Sequence, residues 1–163
     1  SMPPPRNSSD SPKLGSSSCA NDSSRSSDST CVSSRTFGVA SDIPGSSRYV
    51  RGAVIAYHND LKRHQLGVPA SLLARHGAVS APVAARMASG VRRLAQADVG
   101  MAVTGVAGPT GATTRKPVGL VYLGLADGRR TRTHRCQFFG DRLSVKAQAA
   151  QTALDWLRRY LSS

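Results

Sequence analysis

The chain has 163 residues, with 22 Lys and Arg against 9 Asp and Glu, a net charge of +13 and a pI near 11.0. This length is sufficient for one domain with its own core, and the strong positive charge favours anionic partners such as phosphates or nucleic acid. No run approaches the roughly 18 apolar residues of a membrane span. Three cysteines without CxxC spacing argue against a disulfide scaffold and favour a reducing compartment.

Composition divides the chain into two parts. Residues 1–36 are dominated by Ser, Pro, Asn and Asp and have neither a helical nor a strand period. Such a segment buries too little apolar surface to offset its chain entropy, so we predict that it is irregular. From residue 37 to 163 the composition is that of a globular domain. Because the N-terminus is polar and has no apolar targeting segment, we expect a cytoplasmic protein.

The globular part alternates strands and helices. Strands separated by helices predict parallel neighbours, so we expect an α/β fold: a three-layer α/β/α sandwich around a mixed, mostly parallel sheet. The predicted elements are, in order, a strand over 50–57, a helix capped by Asn59 or Asp60, a helix over 69–76 that ends before Gly77, a helix capped by Ser80, a strand over 98–104, a hairpin of 118–126 and 129–138 that turns at Asp127-Gly128, and a helix capped by Asp141.

Apolar residues at helical spacing predict which faces of the two longest helices are buried. The helix capped by Ser80 carries Val83, Met87, Val91 and Leu94 on one face. The C-terminal helix carries Ala150, Ala153, Leu154, Leu157 and Leu161.

Two loops follow predicted strands, at the sheet edge where open α/β sheets bind ligands. The first spans residues 57–62 and the second begins at Thr104. Gly105, Gly108 and Gly111 in the second loop allow positive φ and close approach of backbone N–H groups to an anion. A loose surface turn has the same composition, so this loop alone is weak evidence for a site.

Tyr57 and Lys62 are the more specific candidates. A lysine one turn into the helix can act as a general base towards a hydroxyl nucleophile when burial and cationic neighbours lower its pKa. Tyr57 can donate a proton or orient a substrate. The structural alternative is a solvated lysine beside an interface tyrosine.

Several short blocks of the sequence occur together in one known family. They are Pro44-Gly45-Ser46-Ser47, Gly52 to Tyr57 with Asn59 and Lys62, His76-Gly77-Ala78-Val79-Ser80, Thr104-Gly105-Val106-Ala107-Gly108-Pro109, Lys116-Pro117-Val118-Gly119 and Gly140-Asp141-Arg142. In this order and spacing, the chain resembles the C-terminal domain of CinA, the competence/damage-inducible family, whose stand-alone members include the nicotinamide-nucleotide amidohydrolase. The resemblance implies an α/β/α fold and an enzyme that hydrolyses nicotinamide mononucleotide to nicotinate mononucleotide and ammonia. It implies no metal or organic cofactor.

The family's hallmark is Glu-Ser-Cys-Thr-Gly-Gly, in which the serine is the nucleophile. Counting back from Pro44 places that serine at Thr30 and the following cysteine at Cys31. Three interpretations stay open. Thr30, Ser29 or Cys31 is the nucleophile; or the protein is a degenerate homologue that still binds a nucleotide; or residues 1–36 reflect a reading-frame or cloning artefact.

The resemblance also implies a role for each site residue. The catalytic group would be Thr30 as nucleophile, Lys62 as base and Tyr57 as the residue that orients or protonates. The substrate-binding group would be Cys31, Asn59, Thr104, Gly105, Gly108, Gly111 and Arg142, the last with the phosphate of the nucleotide. His58, His64, His76 and His134 lack metal-ligand spacing, so no metal site is predicted.

The rival class is a basic nucleic-acid-binding module. Residues 129–135 contain five basic side chains, which suit phosphate contacts but are equally typical of a solvated edge strand that discourages aggregation. No DNA- or RNA-binding motif accompanies them, so we predict at most weak, non-specific binding. Because edge strands and apolar helix faces require cover, we also expect a homodimer.

Overall fold

A computed structural model describes residues 30–31 and 33–163. The elements are β1 (Thr30–Cys31), α1 (Ser33–Ser41), a 3₁₀ turn (Ser46–Arg48), α2 (Asn59–His64), α3 (Ala70–His76), α4 (Ala81–Leu94), β2 (Gly100–Gly105), β3 (Leu120–Ala126), β4 (Thr131–Gln137) and α5 (Arg142–Leu161). Regular structure therefore begins before the predicted boundary at residue 36. The rest of the segment predicted to be irregular, residues 1–29 and 32, lies outside the described residues. Among the helices described, none has the length and apolar character needed to cross a membrane.

The four described strands form one sheet in the order β1-β2-β3-β4, and each neighbouring pair is antiparallel. The prediction of a mostly parallel sheet is wrong for these strands. It depended on a strand over residues 50–57, where the structure has no regular element. A buried parallel strand carries apolar side chains into cores on both faces, whereas Arg51, Ile55 and Tyr57 are exposed.

Helices α4 and α5 cover opposite faces of the sheet. Ala102 and Val103 are consecutive in β2, so their side chains point to opposite faces. Ala102 packs with Val83 and Met87 of α4, and Val103 packs in a second cluster with residues of α5. The buried positions of α5 are Val145, Ala149, Ala150 and Ala153.

The ends of the predicted apolar stripes are not buried. Leu94, at the end of α4, is 52% exposed, and Leu161, at the end of α5, is 66% exposed. Both lie in the last turn of their helix, and the prediction that they belong to the core is wrong. Periodicity identifies the apolar face of a helix but not the point where its packing partner ends.

Two of the four predicted helix caps, Gly77 and Asp141, act as predicted. Gly77 ends α3, and the Asp141 side chain accepts a hydrogen bond from a backbone N–H in the first turn of α5. The N-cap of α2 is His58, whose ring Nδ1 accepts from the backbone N–H of Asp60 at 3.3 Å, so neither Asn59 nor Asp60 is the cap. The Ser80 hydroxyl donates to the Gly77 carbonyl and makes no capping bond to α4.

The predicted hairpin is confirmed as β3 and β4, with its turn over residues 127–130. One oxygen of Asp127 accepts from the backbone N–H groups of Arg129 at 2.8 Å and Arg130 at 2.7 Å. The other accepts from the Tyr160 hydroxyl at 2.7 Å, which ties the turn to α5. The hydrogen bonds from Arg130, Tyr160 and Arg129 lower the pKa of Asp127 from 3.8 to about 2.

Substituting Asp127 with asparagine is expected to lower the Tm at neutral pH. Since the pKa of Asp127 is lower in the folded state, at about 2, than the usual value of 3.8, its stabilising effect is complete above that usual value. The effect is lost as the pH falls through the folded value. The Tm difference between Asp127→Asn and the parent protein should therefore narrow in acid. Thermal unfolding as a function of pH measures this Tm difference. The control is Asp98→Asn, the same substitution at an exposed residue outside the turn. A difference that stays constant into acid would contradict the assignment.

Candidate functional site

The C-terminal end of β2 is where the predicted nucleophile segment meets the glycine-containing loop. Thr30 pairs with Gly105 and Cys31 pairs with Thr104, so these backbones are adjacent in the sheet. Thr104 is fully buried, and its hydroxyl donates to the carbonyl of Ala78 at 2.9 Å. Its side chain therefore fastens the end of β2 to the segment that follows α3.

Glycines in this loop are required for two different reasons. Gly108 and Gly111 have φ of +77° and +83°, which confirms the prediction of positive φ for these two. Gly105 does not have a positive φ. Instead, a Cβ there would lie 2.6 Å from Cγ2 of Val121, so Gly105 permits close packing against β3. A Cβ on Gly108 would also lie 2.7 Å from Cγ1 of Val118.

The same loop is fastened to the first turn of α5. Arg142, the first residue of α5, is partly buried, and its Nη1 donates to the Gly108 carbonyl at 2.8 Å. Ala107 packs in the cluster that contains Val145 of α5. Arg142 therefore positions the loop and places a positive charge beside it, where we predicted a partner for a substrate phosphate.

Lys116 is a site residue to which sequence reasoning assigned no role. Its Nζ donates to the carbonyl of His76 at 2.7 Å, at the end of α3, and burial lowers the pKa of Lys116 below its usual 10.5. Lys116 thus links the end of the loop to the segment that also receives the hydroxyl of Thr104. The sequence could have singled out Lys116, since it begins one of the family-like blocks. The block does not indicate that its side chain bonds to the carbonyl of His76.

Lys62 lies in the second turn of α2 and has no exposed surface. Its Nζ donates to Oδ1 of Asn59, one turn earlier, at 3.1 Å. Burying a charged group costs free energy unless it is paired or hydrogen-bonded, so an enclosed lysine is unusual in a structural role. The alternative interpretation of Lys62 as a solvated lysine is wrong. Tyr57, which precedes α2, is 52% exposed.

The predicted site residues thus form two groups. Lys62 and Asn59 form one pair on α2. The second group lies around the loop and contains the backbones of Thr30 and Cys31 with Thr104, Gly105, Gly108 and Arg142. Ser29 lies outside the described residues. Within the described ranges, no group of three or more His, Cys, Asp or Glu side chains is arranged to hold a metal.

The basic residues of the hairpin are partly engaged within the protein. The guanidinium carbon of Arg132 lies 5.2 Å from the ring centroid of Tyr160, and the ring of His134 lies 6.0 Å from that of Trp156. Alternate residues of β4 therefore face α5. Residues 131–135 are nevertheless exposed, as expected for an edge strand.

Comparison with known proteins identifies close relatives over most of the chain. The sequence model of the CinA C-terminal domain matches residues 31–161. The chain is 50% identical over 123 residues to a CinA-like protein of Syntrophus aciditrophicus, covering 75% of this chain and 29% of that protein. It is 47% identical over 134 residues to a CinA-like protein of Geobacter metallireducens, covering 82% and 32%. The chain thus spans about a third of the length of these relatives.

Solved structures give the same result. The competence/damage inducible protein CihA of Agrobacterium tumefaciens superposes with a TM-score of 0.77 at 35% identity, covering 80% of each chain. The competence damage-inducible protein A of Klebsiella pneumoniae superposes with a TM-score of 0.78 at 32% identity, covering 82% of this chain and 83% of that chain.

Proposed function

Because this chain belongs to the CinA C-terminal domain family, we propose that it is a nicotinamide-nucleotide amidase, which hydrolyses nicotinamide mononucleotide to nicotinate mononucleotide and ammonia. The observation that carries the proposal is the fully buried Lys62, held by Asn59 in the family-like block that begins at Tyr57. An enclosed amine on a helix that follows an exposed tyrosine suits proton transfer better than it suits packing.

In the proposed reaction, the Thr30 hydroxyl attacks the carboxamide carbon and Lys62 accepts its proton. Backbone N–H groups of the loop stabilise the negative charge on the carbonyl oxygen of the tetrahedral intermediate. The C–N bond then breaks, Lys62 returns the proton to the leaving nitrogen, and ammonia departs. Water attacks the acyl-enzyme, which releases the carboxylate product and restores the hydroxyl. Tyr57 orients the carboxamide.

The positive charges around the loop support a nucleotide substrate. Arg142 and Lys116 each fasten the 105–116 loop by a hydrogen bond to a carbonyl. Lys116 therefore holds its ammonium group at the end of α3, and Arg142 holds its guanidinium in a defined position beside Gly108, a positive-φ glycine. A phosphate in that position would gain charge-assisted hydrogen bonds, and the proposal places the 5′-phosphate of the mononucleotide there. The three-layer α/β/α sandwich is part of the proposal and is supported by α4 and α5 on opposite faces of the sheet. The homodimer stays a prediction.

A second candidate is a homologue that binds the nucleotide without hydrolysing it. The residues at the hallmark position favour it, because Ser33 and Ser34 stand where the family has two glycines and Ser29 stands where it has glutamate. The loop and its cations do not depend on these positions.

Ammonia release from nicotinamide mononucleotide distinguishes the two candidates. Thr30→Val retains the shape of the side chain and removes the hydroxyl, so turnover should fall to background. Thr30→Ser retains the hydroxyl and should retain turnover. Full activity of Thr30→Val would reject Thr30 and direct the search to Ser29 and Cys31. If the parent protein binds the mononucleotide in calorimetry but releases no ammonia, the second candidate is correct.

A further inference from the structure

A cavity of about 150 Å³ lies between the second half of α4 and the β3–β4 turn. Four arginines line it: Arg92 and Arg93 from α4, and Arg129 and Arg130 from the turn. We call it the arginine pocket. Beside it, the hydroxyls of Ser89 and Thr131 lie 3.1 Å apart and join α4 to β4.

The arginine pocket lies at the opposite end of the sheet from the candidate active site. Gly100, at the start of β2, pairs with Ala126 next to the turn, whereas Gly105, at the end of β2, begins the loop. Five residue steps along a strand span about 17 Å. The pocket is therefore a separate site, and the inference from it does not depend on the proposed function.

Arg92 is held in place by the surrounding backbone. It is partly buried, and its Nη1 donates to the carbonyl of Ala97 at 3.3 Å. Its guanidinium lies against Gly128, where a Cβ would be 3.0 Å from Nη1. The turn can lie this close to the Arg92 guanidinium because Gly128 has no side chain and adopts a φ of +89°.

Four arginines line the pocket, whereas the turn over residues 127–130 contributes a single carboxylate, that of Asp127. The salt bridges among the described residues involve Asp60 and Asp155, neither of which lines the pocket. Asp127, in the turn itself, accepts from two backbone N–H groups and from Tyr160. The four arginines lie together at one small cavity, with the guanidinium of Arg92 against the turn and Nη2 of Arg93 extending towards Gly67. Their like charges repel one another, so a multiply charged anion bound in the cavity would relieve that repulsion.

We propose that the arginine pocket binds a multiply charged phosphate ligand. The planar guanidinium fork matches the oxygens of phosphate with paired hydrogen bonds, and the cavity has room for one or two phosphate groups. Two sources share this chemistry: the polyphosphate of a small molecule and the backbone of a nucleic acid. The pocket would bind this ligand through charge and hydrogen bonds, because polar residues dominate its lining.

Inorganic pyrophosphate is the first probe, titrated calorimetrically into the whole chain. Arg93→Gln combined with Arg130→Gln removes two exposed guanidinium groups, and binding should weaken by at least about tenfold. The matched control combines Arg48→Gln with Arg75→Gln, which lowers the net charge equally at exposed sites outside the pocket; binding should change less than twofold. Thermal unfolding of both variants checks that the fold is retained. Arg130→Lys, which keeps the charge but loses the fork, should give an intermediate loss.

A short single-stranded oligonucleotide, followed by fluorescence anisotropy, identifies the source of the phosphate. If its binding is lost with Arg93→Gln and Arg130→Gln, the pocket takes a nucleic-acid backbone. If oligonucleotide binding is unchanged while pyrophosphate binding is lost, the pocket takes a small polyphosphate. The proposal is overturned if pyrophosphate shows no saturable binding, or if the control pair weakens it as much as the pocket pair.

Discussion

Replacing Lys62 with methionine is expected to lower the rate of ammonia release at least about 10²-fold, the usual effect of losing a proton-transfer group. Methionine fills a similar volume but has no amine to accept the proton of the attacking hydroxyl. Lys62 is fully buried, so the substitution also removes a buried polar group and should leave the Tm unchanged or raise it. Activity and stability therefore move independently, which separates a catalytic lysine from a structural one.

The matched control for Lys62→Met is Lys146→Met, the same substitution at a partly exposed lysine of α5. It should retain full turnover. Binding of nicotinamide mononucleotide to Lys62→Met should persist, because the loop and Arg142 are unchanged. Full activity of Lys62→Met would contradict the proposed mechanism. Loss of activity together with a lowered Tm would show that Lys62 has a structural role only.

Replacing Gly90 with alanine is expected to destabilise the protein by about 1–3 kcal/mol, the range for inserting an atom into a packed core. Gly90 is buried in α4, and a Cβ there would overlap the carbonyl oxygen of Leu66 and lie 2.8 Å from its carbonyl carbon. Since backbone atoms cannot move aside as a flexible side chain does, α4 would have to shift away from the segment after α2.

Gly38→Ala is the matched control, because Gly38 is also in a helix but a Cβ there would meet no atom within 4 Å. Alanine is favoured over glycine in a helix by about 1 kcal/mol, so Gly38→Ala should be neutral or stabilising. Urea unfolding of both variants measures the free energy of unfolding. Equal stabilisation by both substitutions would show that the contact between Gly90 and Leu66 does not constrain α4.

Several elements of this fold can be predicted from the residues at their ends, because their signals are local. Helix α3 is bounded by Pro69 and Gly77, α5 begins after the cap Asp141, and the β3–β4 hairpin turns beside Asp127-Gly128. Caps, turn residues and apolar periodicity act within a few residues, so they can be identified without knowing the rest of the fold. The family-like blocks likewise selected Tyr57, Lys62 and the glycine loop as site candidates.

Which groups come together across the chain could be read from the folded protein but not from the sequence. The apolar run over residues 50–57 predicts a strand, yet it lies outside the described sheet. Lysine is a residue type usually found at the surface, and the burial of Lys62 depends on what packs around α2. The hydrogen bond from Lys116 to His76 joins residues 40 apart, and the arginine pocket joins α4 to a distant turn. Pairing, burial and long-range charge depend on which surfaces meet, and no local pattern of residues encodes that.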